Sequence, residues 1–219
     1  MSGLGFAFHG VEFEARVSGA LWWPRERWLI VADLHFGKSE RMARRGGALL
    51  PPFENRATLE RLGAEIAALA PRRIISLGDG FDDLAAAEAF APRLGPDLAA
   101  LAKGCDWLWI SGNHDPGPLP ATLPGAVRPE LALDGLVLRH EIGQGPDVSG
   151  HYHPAIRLGG LRRRAFLLGA DHLILPAFGA YTGGMLAEEP PLGTLLPEGL
   201  ALACCETRVL PLPFGARRR

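Results

Sequence analysis

Cysteine, methionine and tyrosine are scarce in this 219-residue chain, with three, three and two copies. The cysteines, Cys105 and the adjacent Cys204-Cys205, form an odd and low count. That excludes a disulfide framework and predicts reduced thiols in a cytoplasm, with all three read as buried small hydrophobes. No apolar run approaches the ~20 residues needed to span a bilayer, and the N-terminus lacks the basic, apolar and small-residue zones of a secretory leader. No membrane partner is expected. Neither sign of charge is in excess, since 23 Lys and Arg face 24 Asp and Glu for a formal net charge of −1. The chain as a whole is therefore not drawn to nucleic acid or to an anionic surface. Any such contact has to come from a local basic patch.

Polar residues of metal-binding type are present, and they are ordered. Five short elements follow one another: Asp33-Leu34-His35, Gly78-Asp79, Gly112-Asn113-His114-Asp115, His140 and Gly150-His151-Tyr152-His153. They contain five of the seven histidines. Four of them come directly after a short apolar run: Leu29-Ile30-Val31, Ile74-Ile75-Ser76-Leu77, Trp107-Leu108-Trp109-Ile110 and Leu136-Val137-Leu138. Such runs read as strands buried on both faces. Residues just past them converge at the carboxyl ends of a sheet, where open α/β folds place their sites.

Between these elements the pattern is that of one α/β domain over residues 1–219. Alternation from Phe6 to Val17 predicts an opening hairpin. Leu59, Leu62, Ile66 and Leu69 share one face of a helix over 55–70. The Ala-rich stretch 84–103 predicts further helix, broken at Pro92 and near Gly95-Pro96. After Gly145-Pro146 short strands and Gly/Pro-rich turns run to the end. Trp22, Trp23, Trp107 and Trp109 read as core packing.

The ordered set D-x-H, G-D, G-N-H-D, H and G-H-x-H resembles the calcineurin-like metallophosphoesterase superfamily over residues 31–154. G-N-H-D and G-H-x-H together, in that order and behind strands, are what make it specific. The flanks Asp33-Leu34-His35-Phe36-Gly37-Lys38-Ser39, Trp107 to Pro116 and Leu175 to Gly184 look like one subgroup of it, the bacterial ligase-associated DNA damage response endonucleases. There is one departure. The subgroup often carries a His four residues after the glycine of G-D, where this chain has Asp82, followed by Asp83.

The resemblance implies a two-sheet β-sandwich with helices on both outer faces. It also implies two metal ions, of which manganese is the first expectation and iron or zinc are alternatives suited to mixed imidazole and carboxylate ligands. One metal would take Asp33, His35 and His153, the other Asn113, His140 and His151, with Asp79 bridging. In extended chain residues i and i+2 point the same way, so His151 and His153 could serve neighbouring metals. Two such ions roughly 3.5–4 Å apart clamp a phosphate and generate hydroxide near neutral pH. His114 would stay off the metals and donate to the leaving group, oriented by Asp115. The expected reaction is phosphodiester hydrolysis through a metal-bound hydroxide, with DNA as first substrate and repair enzymes such as a DNA ligase or helicase as partners. Nucleotides or other small phosphodiesters are the alternative substrates. A non-catalytic binding subunit of a repair complex is the alternative of another class.

The remaining polar residues read more plainly. His9 and His172 lie in no motif and are expected to be hydrogen-bonded or solvent-facing. Asp82 and Asp83 either support the site or cap the following helix. Lys38, Arg41, Arg44 and Arg45 follow the first ligand pair and are the candidate substrate contacts. Arg162-Arg163-Arg164 come second, and with Arg217-Arg218-Arg219 they read first as solvated charge.

Overall fold

The computed structural model describes residues 3–47 and 49–215, so the terminal Arg217-Arg218-Arg219 run lies outside the described residues. The apolar runs do become strands. The first sheet holds β1 (Gly3–Phe8), β2 (Val11–Arg16), β3 (Leu21–Trp23), β4 (Trp28–Val31), β5 (Arg73–Leu77), β6 (Asp106–Ile110) and β7 (Ala126–Arg128), in that spatial order. Its first half is an antiparallel meander, and β4 to β7 are parallel. The opening hairpin turns through His9 and Gly10, both at positive φ (46° and 77°), as a two-residue primed turn requires.

The second sheet is built from β8 (Leu131–Leu133), β9 (Leu136–Leu138), β10 (Asp147–Ser149), β11 (Pro154–Leu158), β12 (Leu161–Leu168), β13 (His172–Ile174), β14 (Met185–Leu186), β15 (Gly199–Cys204) and β16 (Val209–Phe214). Its path runs β14-β11-β12-β13-β10-β9-β8, with β15 paired to β12 and β16 to β15.

Alternation along the central strands explains the layers. Trp28, Ile30, Ile75, Leu77, Leu108 and Ile110 point between the sheets and meet Leu138, Val148, Phe166 and Leu173. Leu29, Val31, Ile74, Trp107 and Trp109 point the other way, under the helices. That is why these strands read as unbroken apolar runs. Helices α2 (Glu54–Leu69) and α3 (Leu84–Leu101) cover the outer face of the first sheet, with Leu59, Leu62, Phe90 and Leu98 buried there. The short α1 (Lys38–Arg44) lies beside α3. Helical cover is uneven: among the described residues the outer face of the second sheet has only α4 (Leu192–Leu195), one turn long.

Two expectations change. Helix α3 is not broken at Pro92 or Pro96. Both prolines are exposed, and so is Glu88, whose carbonyl loses its helical partner at Pro92. Water can satisfy such a carbonyl, while Phe90, Ala91 and Leu98 hold the opposite face in the core. The three cysteines are free, as expected, but each is only partly buried. Among the described residues no helix is long and apolar enough to cross a membrane.

Candidate metal centre

The loops after β4 and β5 run side by side past the end of the first sheet. Asp33 N donates to Gly78 O (3.3 Å), His35 N to Asp79 O (2.9 Å) and Phe36 N to Gly80 O (3.0 Å). The segment after β13 continues on the other side, where Phe178 N donates to Ala32 O and Gly179 N to Asp33 O. From the second sheet, Gly150 N donates to His140 O (2.9 Å). All five motif elements therefore meet at one end of the sandwich.

Two sets of ligand-type atoms form there. Asp33, His35 and His153 offer atoms lying within 4.8 Å of one another, and so do Asp79, His140 and His151. In the first set His153 Nε2 is 3.3 Å from both Asp33 Oδ1 and His35 Nε2. In the second, Asn113 Oδ1 is 2.9 Å from His140 Nε2 and 3.0 Å from His151 Nδ1, and these two nitrogens are 3.1 Å apart. Asp79 stands between the sets. Its Oδ1 is 3.5 Å from His140 Nε2, and its Oδ2 is 3.9 Å from His35 Nε2. The carboxylates and His35 are buried, whereas Asn113 is exposed and His114, His151 and His153 are partly exposed. The site is a buried acidic floor under an accessible imidazole rim.

The backbone at this site is unusual. Asp33, His35, Asp79, His151 and His153 all have positive φ, between 44° and 67°. The D-x-H and H-x-H pairs are thus not extended, as their i, i+2 spacing predicts, but in the left-handed region. His and Asp tolerate that region better than most side chains, and such clusters mark functional sites. The pair His151 and His153 still splits between the two sets. Two motif glycines have a steric reason: a Cβ on Gly78 would collide with the His140 ring, and one on Gly112 with the Asp79 carboxylate.

The polar atoms also converge as a cation site would require. His140 Nδ1 donates to Leu77 O (2.9 Å), which leaves Nε2 as a lone pair in the neutral ring. That lone pair faces the Asn113 oxygen and His151 Nδ1, so three ligand-type atoms converge there. Burial works against charge on His140, but Asp79 and Asp33 outweigh it and push its pKa up to about 9. Burial likewise opposes charge on Asp79, yet hydrogen bonding and charge from His140, with the His114 N–H, hold its carboxyl well below the usual range. His151 shifts down, through burial and the charge of His140.

His114 lies beside both sets, with Nε2 3.9 Å from Asp79 Oδ2. It groups with His35 and Asp79 as a third set of ligand-type atoms. Its ring is not held by Asp115, contrary to the expectation from the sequence. His114 Nδ1 instead faces the main-chain oxygen of Asp82 (2.9 Å). Asp115 is buried and accepts from Phe81 N (3.0 Å) and Gly112 N (3.2 Å), so it ties two motif loops together. Burial, with the nearby Asp79 charge, pushes its pKa up to about 6 against those two hydrogen bonds.

The adjacent carboxylates Asp82 and Asp83 divide the two readings between them. Asp83 is the N-cap of α3, accepting from Ala86 N (2.8 Å). Asp82 is buried, with Oδ1 2.9 Å from His35 Nδ1. The candidate basic contacts pair with these two residues. Arg41 Nη1 lies 3.0 Å and Lys38 Nζ 3.9 Å from Asp82, while Arg44 and Arg45 lie 2.8 and 3.5 Å from Asp83. Arg164 is not solvated charge. Its Nη1 donates to Ala177 O (3.2 Å), and Arg61 Nη1 donates to Phe178 O (2.6 Å), so both fix the segment beside Asp33. Sequence reading missed Arg61 and also Glu54, which is buried and accepts from Ser39 N and Oγ to anchor α1 on α2. It missed Glu141 too, 3.6 Å from His151 Nε2. Nothing local marks any of the three. His9 and His172 have structural partners, Ala170 O and Asp147.

No family model matches the chain, and no curated protein matches it. Among solved structures the chain is similar to the crystal structure of Pseudomonas putida nuclease MPE, with a TM-score of 0.74 and 28% sequence identity over 96% of this chain and 100% of that one. This chain has the fold of a nuclease. The sandwich and the clustered His and Asp groups together fit a metal-dependent nuclease.

Proposed function

We propose that this protein is a two-metal phosphodiesterase whose substrate is DNA. The observation that carries the reading is the meeting of two ligand sets on one carboxylate, Asp79. Asp33, His35 and His153 would hold one cation, Asn113, His140 and His151 the other, and Asp79 both. The donor set of imidazoles, carboxylates and one amide suits manganese, with iron or zinc as alternatives. When bound, two such cations supply positive charge for the phosphoryl oxygens and an activated water. The chain's own residues do the rest. Asp33 and Asp79 neutralise part of the cation charge, and Asn113 adds an oxygen without adding negative charge. His114 Nδ1 donates to the Asp82 carbonyl, which turns Nε2 toward the site, and Nε2 presents a proton to the leaving oxygen when the ring is the doubly protonated imidazolium.

The likeness to a nuclease supports a nucleic acid as substrate, and within that class DNA is the first choice. A specific observation favours the second reading, a small phosphodiester: Lys38 and Arg41 are already paired with Asp82, and the chain has no positive excess. Arg44 and Arg45 pair with Asp83 but are exposed, and they remain the candidates for phosphate contact. The test compares cleavage of single- and double-stranded DNA with that of a bis-aryl phosphodiester, with and without manganese, in wild type and in an Arg44→Ala/Arg45→Ala double variant. The DNA reading expects the double variant to lose DNA cleavage selectively and to flatten its salt dependence, by about 0.7–0.9 in log-log slope per lost contact. A parallel fall in both activities, or aryl hydrolysis alone in wild type, makes the small phosphodiester the substrate class. Absence of any metal-dependent hydrolysis overturns the enzyme reading.

A further inference from the structure

Residue 82 touches the candidate centre twice. Its side chain is 1% exposed, and Oδ1 lies 2.9 Å from His35 Nδ1. Among the described residues neither atom has a hydrogen-bond partner of good geometry, and each is the close polar neighbour of the other. The opposite nitrogen, His35 Nε2, faces His153 and Asp79. Its main-chain oxygen lies 2.9 Å from His114 Nδ1, and its N–H donates to Phe36 O (3.0 Å), next to His35. One residue therefore sits behind two imidazoles of the site. The Nδ1 atoms of His114 and His140 each meet a main-chain carbonyl at 2.9 Å, and the Asp33 carboxylate is 3.9 Å from that of His140. His35 is distinct in having a buried carboxylate as near as 2.9 Å to Nδ1.

We infer that Asp82 is a positioning residue, its carboxylate orienting His35 for metal binding, and that Lys38 and Arg41 serve Asp82 rather than the substrate. A carboxylate at Nδ1 keeps the proton on that nitrogen, which leaves Nε2 as the ligand atom and raises its basicity. Arg41 closes the unit from behind, with Nη1 3.0 Å from Asp82 Oδ2, and Lys38 Nζ is 3.9 Å from Oδ1. These two cations flank the buried carboxylate. A neutral imidazole at position 82 could not give a fixed negative charge to His35 and Arg41 together.

The inference rests on the metal-centre reading, so its test includes a measurement on metal-free protein. In metal-free wild type, nitrogen-detected NMR of the histidine rings should show His35 as the Nδ1–H tautomer. Asp82→Ala should mix the tautomers, while Asp82→Asn, whose amide oxygen can still accept, should retain the wild-type form. In calorimetric titration with manganese, Asp82→Ala should weaken one of two sites by about 10–100-fold. Asp82→Asn should recover part of that loss. Arg41→Ala should weaken the same site without changing the salt slope of DNA binding. An unchanged tautomer and unchanged manganese affinity in folded Asp82→Ala would overturn the positioning role. A slope reduced by about 0.7–0.9 in Arg41→Ala would return that residue to the substrate. If Asp82→Ala does not fold, the manganese affinities of Asp82→Asn and Arg41→Ala decide, and wild-type affinity in both would overturn the positioning role. Wild type that binds no manganese sinks the metal reading, while the tautomer still decides the orientation.

Discussion

His114 differs from its neighbours because the two ligand sets close without it. Removing its ring should therefore leave the metals in place and slow the chemistry. His114→Ala is expected to cost about 10²–10⁴ in kcat, the usual worth of a positioned acid. The loss should shrink for aryl esters with acidic leaving groups, which need little protonation. Equal losses across leaving groups, measured at matched metal occupancy, would assign the ring to charge stabilisation instead. At this scale the site was largely legible. Every ligand candidate sits in a short motif, and Gly78 and Gly112 are there because a side chain would strike the His140 ring or the Asp79 carboxylate. The partner of His114 was not legible. Asp115 is its sequence neighbour, but the ring turns to the carbonyl of Asp82, 32 residues away.

Helix α3 shows what local sequence does and does not determine. Asp83 was readable as a cap, and it is one. Asp83→Ala should destabilise the protein by roughly 0.5–2 kcal/mol in urea unfolding, and Asp83→Asn by less, because Asn also caps. Burial opposes charge on Asp83, but Arg44, the Ala86 N–H and Arg41 outweigh it and hold its pKa below the ordinary value. A depressed folded pKa adds stability above the unfolded value of about 3.9, and this is lost as pH falls. The advantage of wild type over Asp83→Asn should therefore be full at pH 6 and fade below about pH 4. A difference that grows on acidification would contradict the ion-pair account. The prolines were misread because their effect depends on which face they occupy. Pro92 lies on the exposed face, so the helix continues through it. Pro92→Ala should restore a backbone donor and raise stability by about 1–3 kcal/mol. No gain would mean that the rigidity proline gives the unfolded chain offsets the lost hydrogen bond.

The whole molecule supplies what no single element can. Asp33, His35, Asp79 and Asn113 come from loops of the first sheet, and His140, His151 and His153 from the second. The apolar runs made the layers legible, but which loops cross between sheets depends on long-range contacts such as Ala32 with Ala177. That is why Arg61, Glu54 and the fixing of the 177–178 segment had no local signal. Metals held across the two sheets should stabilise the fold, by about 2.7 kcal/mol at a hundredfold excess over Kd. Manganese should raise Tm, and chelation should lower it without unfolding a core that packs independently of the site. Loss of the cooperative transition on chelation would show that the metals are structural. The most direct test of the central claim is anomalous diffraction at the manganese edge from crystals grown with the metal. Two peaks per chain are predicted, one among Asp33, His35 and His153 and one among Asn113, His140 and His151, roughly 3.5–4 Å apart with Asp79 touching both. A single peak, or two that do not share Asp79, would contradict it.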